Sequence, residues 1–356
     1  MLKLLNNWYT RHFSNPQVAI LAMLLLLGFS FIVFAGKILA PLLAAVIIAY
    51  LLDGAVHLLR RYKLPRFAAI LLVFSLFIVM LLLILVILAP LMFKQATQFA
   101  LEIPGMIASG QSVLLTLPEK YPTLVSEQAI LELLNSLRNE LTQLSRHVLS
   151  FSLSSVFNLI AFVVYLVVVP LLVFFFLKDK DLVLSWFSTF LPQDRELVIQ
   201  VWREVNGKIA GYVRGKFLEI LIVWAVSFVT FLAFDLRYSM LLSFLVGISV
   251  LIPYVGAAVA TLPIAVVAYF QWGLNTDFAY VMIAYGIIQF LDGNLLVPLL
   301  FAEMVNLHPA AIITAVLFFG SVWGIWGVFF AIPLATLINA VINAWPRQHT
   351  SILPNQ

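Results

Sequence analysis

The sequence predicts an all-α polytopic membrane protein with about eight transmembrane segments and broken or re-entrant helices in its C-terminal third. Three observations predict it. Apolar residues make up 63% of the chain and charged residues 10%, against roughly 25% charged in ordinary soluble domains. The apolar residues fall in blocks of the length that a spanning helix needs, about 20 residues. From Tyr238 to Pro346 there is no Lys or Arg at all, although the chain carries a formal charge of +4. That charge belongs to Lys and Arg at the membrane edges and does not indicate a nucleic-acid partner. With no cysteine in the chain, disulfides, thiolate metal sites and cysteine nucleophiles are excluded.

Taken in order, the blocks are 18–35, 38–56, 67–93, 151–177, 217–234, 239–270, 278–300 and 309–344. The first could serve a secretory signal, but its apolar run is long and a second block follows at once, so it is read as an uncleaved helix. The blocks divide the chain into N-terminal membrane segments 1–3 (1–93), an extracytoplasmic helical insertion (94–150) and membrane segment 4 (151–177). A cytoplasmic amphipathic segment (178–216), a C-terminal membrane core (217–345) and a tail (346–356) complete it. Orientation follows from charge. Arg60, Arg61, Lys63 and Arg66, and the cations from Lys178 to Lys216, outnumber those on the other side, which places the N-terminus in the cytoplasm. An even number of crossings then leaves the C-terminus there too.

Two stretches leave the bilayer. In 94–150, Pro104, Pro118 and Pro122 divide short helices, and Ile130, Leu134, Leu137, Leu141, Leu144 and Val148 form one apolar stripe. The stripe suits packing within the protein or a seam between subunits. In 178–216, Trp186 and Trp202 suit a helix lying at the interface, and Gly207, Gly211 and Gly215 suit a close helix crossing.

Catalytic signatures are absent. There is no H-E-x-x-H, no G-x-S-x-G and no phosphate-binding loop, so the reading assigns no enzyme activity, catalytic residue, metal or cofactor. His308 reads as a boundary residue. What remains is the polar content of the last third: Asp277, Asp292 and Glu303. A charge at mid-bilayer costs about 2.5–3.5 kcal/mol on insertion scales, so each carboxylate there needs a reason. Tyr285, Gln289 and Asp292 step by four and three and share a helix face. Asn294 and Pro298 follow Asp292, so the helix is expected to open there and offer backbone carbonyls to a solute, with Glu303 nearer the edge. The alternative is that Asp292 merely caps a helix. Breaks or gating points are expected at Pro253, Tyr254, Gly256, Pro298, Gly320, Gly324, Gly327 and Pro333, because broken backbone at membrane depth must be satisfied by protein or by a wet cavity. The block supplies no cation of its own to pair with a buried carboxylate.

At this point the chain resembles the autoinducer-2 exporter family of bacterial permeases, and within it the PerM-like branch. The residues that carry the likeness are Ala40-Pro41-Leu42-Leu43, Leu64-Pro65-Arg66, Phe176-Leu177-Lys178-Asp179 and Tyr212-Val213-Arg214-Gly215. They continue through Ile252-Pro253-Tyr254-Val255-Gly256, Asn294 to Pro298, Leu307-His308-Pro309 and Gly324 to Pro333. The resemblance implies a multi-pass protein of the bacterial inner membrane with both termini cytoplasmic. It implies a homo-oligomer, with a pentamer preferred, and export of a small polar solute such as autoinducer-2. Some relatives are linked to sodium/proton exchange, so proton or sodium is a second candidate partner beside the lipid bilayer. Many relatives have Glu where this chain has Asp292. Three functions stay open: a secondary transporter or exporter, a cation/proton antiporter, and a membrane scaffold for envelope proteins that binds through 94–150.

Overall fold

The computed structural model describes residues 16–114, 136, 143, 155–189, 196–253, 255–301 and 307–344. Among them the chain is helical and contains no strand. Helix α1 (Pro16–Arg61) turns at Lys63 into α2 (Arg66–Leu83), which runs through one wide π-turn, Ile84–Leu88, into α3 (Ala89–Leu114). After these come α4 (Ser155–Lys178), α5 (Lys180–Thr189) and the long α6 (Glu196–Ala233). The remaining elements are α7 (Ser239–Ser249), α8 (Val255–Trp272) and α9 (Thr276–Leu291), a second π-turn at Asp292–Leu296, α10 (Val297–Phe301), α11 (Pro309–Trp323) and α12 (Ile325–Ala344).

Among the described residues five helices are long and apolar enough to cross a bilayer. A sixth is added if the bent pair Phe162–Lys178 and Lys180–Trp186, kinked by 83°, counts as one span. The blocks expected as separate crossings at 18–35 and 38–56 lie on the single helix α1. Gly36 between them costs only about 1 kcal/mol in a helix interior, too little to stop an apolar run. The outer surface fits lipid: Leu72, Leu76, Val79, Leu82 and Val86 are all at least half exposed. Small residues face inward instead, with Ala45 and Ala49 of α1 packed against Ala69 and Val73 of α2 and Val173 of α4. Close approach through small side chains is how helices associate where lipid is as apolar as leucine.

Polar contacts join this N-terminal bundle to α5 and α6. Lys180 Nζ lies 2.9 Å from Asp53 Oδ2, and Arg66 donates to Asp181. The hydrogen bond and charge of Arg66 hold the exposed Asp181 carboxyl below the usual carboxylate range. Tyr50 donates to Asn206 Oδ1 at 2.6 Å. Trp186 and Trp202 are exposed, as an interfacial role requires.

Helix α6 is the wall that the C-terminal core shares. Its start, Val201 and Val205, packs on Ala340 and Val341 of α12; Tyr212 meets Phe301 and Ile332; its far end, Val223 and Phe231, joins α7, α8 and α9. The blocks 239–270 and 309–344 were expected as broken crossings, and each folds back on itself. Gln271 at the end of α8 accepts from Arg237 N and donates to Asp235 O, both at 2.8 Å. The α7–α8 pair therefore ends beside the turn from which it began. With 11 residues, α7 reaches only about 16 Å. The other hairpin, α11–α12, closes by packing Ala315 and Phe319 against Ala331.

Candidate functional site

Asn275 caps α9 by accepting from Phe278 N at 3.1 Å, and the apolar sequence that follows carries the helix inward. Tyr285, Gln289 and Asp292 come to one side, toward α6. Tyr285 is buried, its ring centroid 6.4 Å from that of Phe231, and its hydroxyl donates to Ala257 O of α8 at 2.9 Å. Asp292 is 9% exposed. The helix does not open after it: the chain widens into a single π-turn in which Val297 N bonds to Asp292 O. A widened turn just ahead of Pro298 relieves the clash that a proline ring makes with the carbonyl four residues back. Asn294 lies on the exposed side, where its Nδ2 bonds to Phe290 O at 2.9 Å, so it stands apart from Asp292. Glu303 and Tyr254 lie outside the described residues.

The sequence block that holds Asp292 has no cation, but α6 supplies one. Lys216 Nζ sits 2.7 Å from Glu219 Oε2, with the two side chains 6% and 2% exposed. The ammonium lies over the Phe301 ring, 5.6 Å from its centroid, a favourable cation–π placement. The Lys216 charge also acts on Asp292, and the Glu219 and Asp292 carboxylates act on each other. One ammonium thus faces two carboxylates in a low-dielectric setting. Such a cluster favours cations and hydrogen-bond donors over anions. Reading the sequence placed Lys216 in the aqueous segment and passed over Glu219. The i, i+3 spacing of opposite charges at the head of an apolar run was the available signal. Gly215 makes room for the arrangement, since a Cβ there would lie 2.8 Å from Phe301 Cε1.

The expected breaks divide in two. Pro253 lies in the turn between α7 and α8, and Gly256 follows it in the first turn of α8, where a Cβ would stand 1.7 Å from Ser249 O. Gly324, with φ +61, ends α11, and Gly327 packs onto the carbonyl of Phe319. Gly320, Pro298 and Pro333 lie within helices and interrupt none of them. In α12 the proline is tolerated about two turns inside the helix at a buried position, where neighbouring elements hold the backbone. His308 caps α11 as a boundary residue, its Nδ1 accepting from Ala310 N at 3.2 Å.

A second polar cluster sits where α3 meets the α6–α7 turn. Arg237 approaches Glu102 at 4.0 Å, and Tyr238 hydrogen-bonds Glu102; its hydroxyl is pushed up to about 12, first by burial. Open clefts of about 320 and 480 Å³ flank the pair. Among the described residues no group of three or more His, Cys, Asp or Glu could hold a metal ion.

Residues 20–347 match the model of the AI-2E family transporter. PerM of Escherichia coli (strain K12) is 46% identical over 346 residues, which cover 97% of this chain and 98% of that protein. YueF of Bacillus subtilis (strain 168) is 30% identical over 316 residues, covering 87% and 85%. YrrI of the same organism is 24% identical over 323 residues, covering 87% of each. Their names class them as a permease and transport proteins by inference and specify no solute. With its family model matched over most of its length and its helices apolar and repeated, the chain is a multi-pass membrane protein that belongs to the AI-2E transporter family.

Proposed function

We propose that this protein is an inner-membrane secondary transporter that exports a small polar solute, and that the solute passes beside Asp292. One observation carries the reading. A carboxylate that is nine-tenths buried in a widened helical turn keeps its Oδ1 without a hydrogen-bond partner among the described residues, next to the Lys216–Glu219 pair. Leaving a buried acceptor unmade costs about 1–3 kcal/mol, more when it is charged. An acceptor that no group among the described residues satisfies is suited to a partner that comes and goes, water at rest and solute in passage. Family membership and the names of the relatives support the transport class; the solute and the direction are part of the proposal.

Flux in proteoliposomes across a panel of neutral and charged solutes, with and without pH and sodium gradients, tests it. Asp292→Asn keeps the shape and removes the charge, so flux should fall at least tenfold, while Asp292→Glu should keep measurable flux with altered affinity. Normal flux in Asp292→Asn would make the carboxylate structural and sink the site assignment. Flux of sodium against protons alone, with no organic solute moved, would favour the antiporter reading. Loss of function confined to the 94–150 insertion would favour the scaffold, whose surface lies mostly outside the described residues.

The same proposal places both termini in the cytoplasm. Thiol labels introduced near Arg61 or Lys180 should therefore react only after cells are opened, and labels within 94–150 should react in intact cells. The opposite pattern would invert the protein.

A further inference from the structure

Helix α6 runs antiparallel to α9 and its continuation through the π-turn into α10, and their register is pinned at both ends. Phe231 meets Tyr285 at one end, with centroids 6.4 Å apart; at the other, Gly215 and Lys216 meet Phe301 just beyond the π-turn. Equal lengths of chain separate these contacts on the two strands of the pair. By that spacing Ser227 comes to about the level of Gln289 and Trp224 to about that of Asp292, with the Trp224 backbone also lying against Gly247 of α7. Those four residues each hold a buried polar atom without a hydrogen-bond partner among the described residues: Ser227 Oγ, Gln289 Nε2, Trp224 Nε1 and Asp292 Oδ1. Ser227 is fully buried.

Buried polar atoms are nearly always paired, so each exception asks for a cause. Four on two packed helices, at matching levels, ask for a common one. They also complement one another. The indole and the amide nitrogen donate, the carboxylate oxygen accepts, and the hydroxyl does both. That mixture suits water, which needs two to four polar neighbours and bridges donors to acceptors. The apolar core beside the seam differs in kind: Val281, Ala268 and Ile264 are fully buried and carry no polar side-chain atoms.

We infer that the α6–α9 seam holds a short file of water, running from the Lys216–Glu219 pair past Asp292 and Trp224 to Ser227 and Gln289. The file wets the inside of a helix pair whose outer faces are lipid-facing Val229, Ile283 and Ile287. It makes Trp224, Ser227 and Gln289 ligands of that water, a role that nothing in the sequence pattern alone assigns to them. The inference does not depend on Asp292 contacting a solute.

Because the chain has no cysteine, single thiols can be read without background. Ser227→Cys and Gln289→Cys are to be compared with the dry-core variants Val281→Cys and Ala268→Cys in membrane vesicles. Silver ion, close to water in size, is the probe. Thiols that it leaves unblocked are counted afterwards with a fluorescent maleimide under denaturing conditions. The two seam thiols should be blocked at least tenfold faster than the two core thiols. Equal, slow blocking of all four overturns the proposal.

A second measurement covers the case in which a cysteine variant fails to fold. Ser227→Ala combined with Gln289→Leu should leave the thermal midpoint unchanged or lower if water already satisfies both groups. A raised midpoint would mean that two uncompensated polar groups had been removed from a dry seam, and the water file would have to be given up. Both readouts concern the resting protein, so they stand or fall separately from the effect of Asp292→Asn on flux.

Discussion

Gly256→Ala is expected to lower the thermal midpoint of the purified protein strongly, and Gly256→Leu to leave no assembled α7–α8 hairpin. Even a methyl group at this position would stand 1.7 Å from the Ser249 carbonyl oxygen, 2.5 Å from its carbon and 3.2 Å from its Cα. The obstacle is backbone, which no rotamer change moves aside. Overpacking of a well-packed core costs about 1–3 kcal/mol, and a backbone wall places this site at or beyond the upper end. The chain carries its own control. A Cβ on Gly286 of α9 would meet nothing within 4 Å, so Gly286→Ala should be neutral, or stabilising by about 0.5–1 kcal/mol through helix propensity. Thermal-inactivation midpoints in detergent, read side by side, decide the matter. Equal midpoints for Gly256→Ala and Gly286→Ala would show that the hairpin does not close at Ser249.

The second large effect belongs to Lys216. Lys216→Met should be among the most damaging single changes in the protein, because it strands Glu219 at 2% side-chain exposure with Asp292 near by. Removing one partner of a buried ion pair costs about 3–5 kcal/mol, whereas replacing both partners with packed apolar groups is often neutral or better. Lys216→Met with Glu219→Leu should therefore be distinctly more stable than Lys216→Met alone. The non-additivity of that cycle measures the pair. Should the single variant unfold where the wild type does, the ammonium is not what holds Glu219 in place.

Much of the fold could be read from the sequence, because lipid imposes simple rules. The apolar blocks became helices, and Tyr285, Gln289 and Asp292 came to one face because a helix repeats every 3.6 residues. His308 was legible as a helix boundary from the proline after it. The rest depended on contacts that spacing does not encode. Whether 239–270 crosses or folds back is decided by the Gln271 side chain reaching Arg237 and Asp235, across a gap in sequence that no periodicity spans. The widening at Asp292 was read as an opening because Asn294 and Pro298 favour breaks as readily as bulges. The partner of the Asp292 region was missed because the search for a cation stayed within the cation-free block, while Lys216 approaches from α6. Glycine gave a mixed signal as well: Gly256 and Gly327 press against backbone, Gly320 meets only the tip of the Val328 side chain, and the bare residue type does not separate them.

The position of Lys216 on α6 also sets an order of events during synthesis. A ribosome making about 5–20 residues per second delivers α6, with Lys216 and Glu219 already neutralising each other, several seconds before Asp292 leaves the exit tunnel. The helix that leads to Asp292 therefore enters a membrane where the Lys216 ammonium is already waiting. A chain that began after α6 would have to insert the same carboxylate into lipid with nothing to receive it.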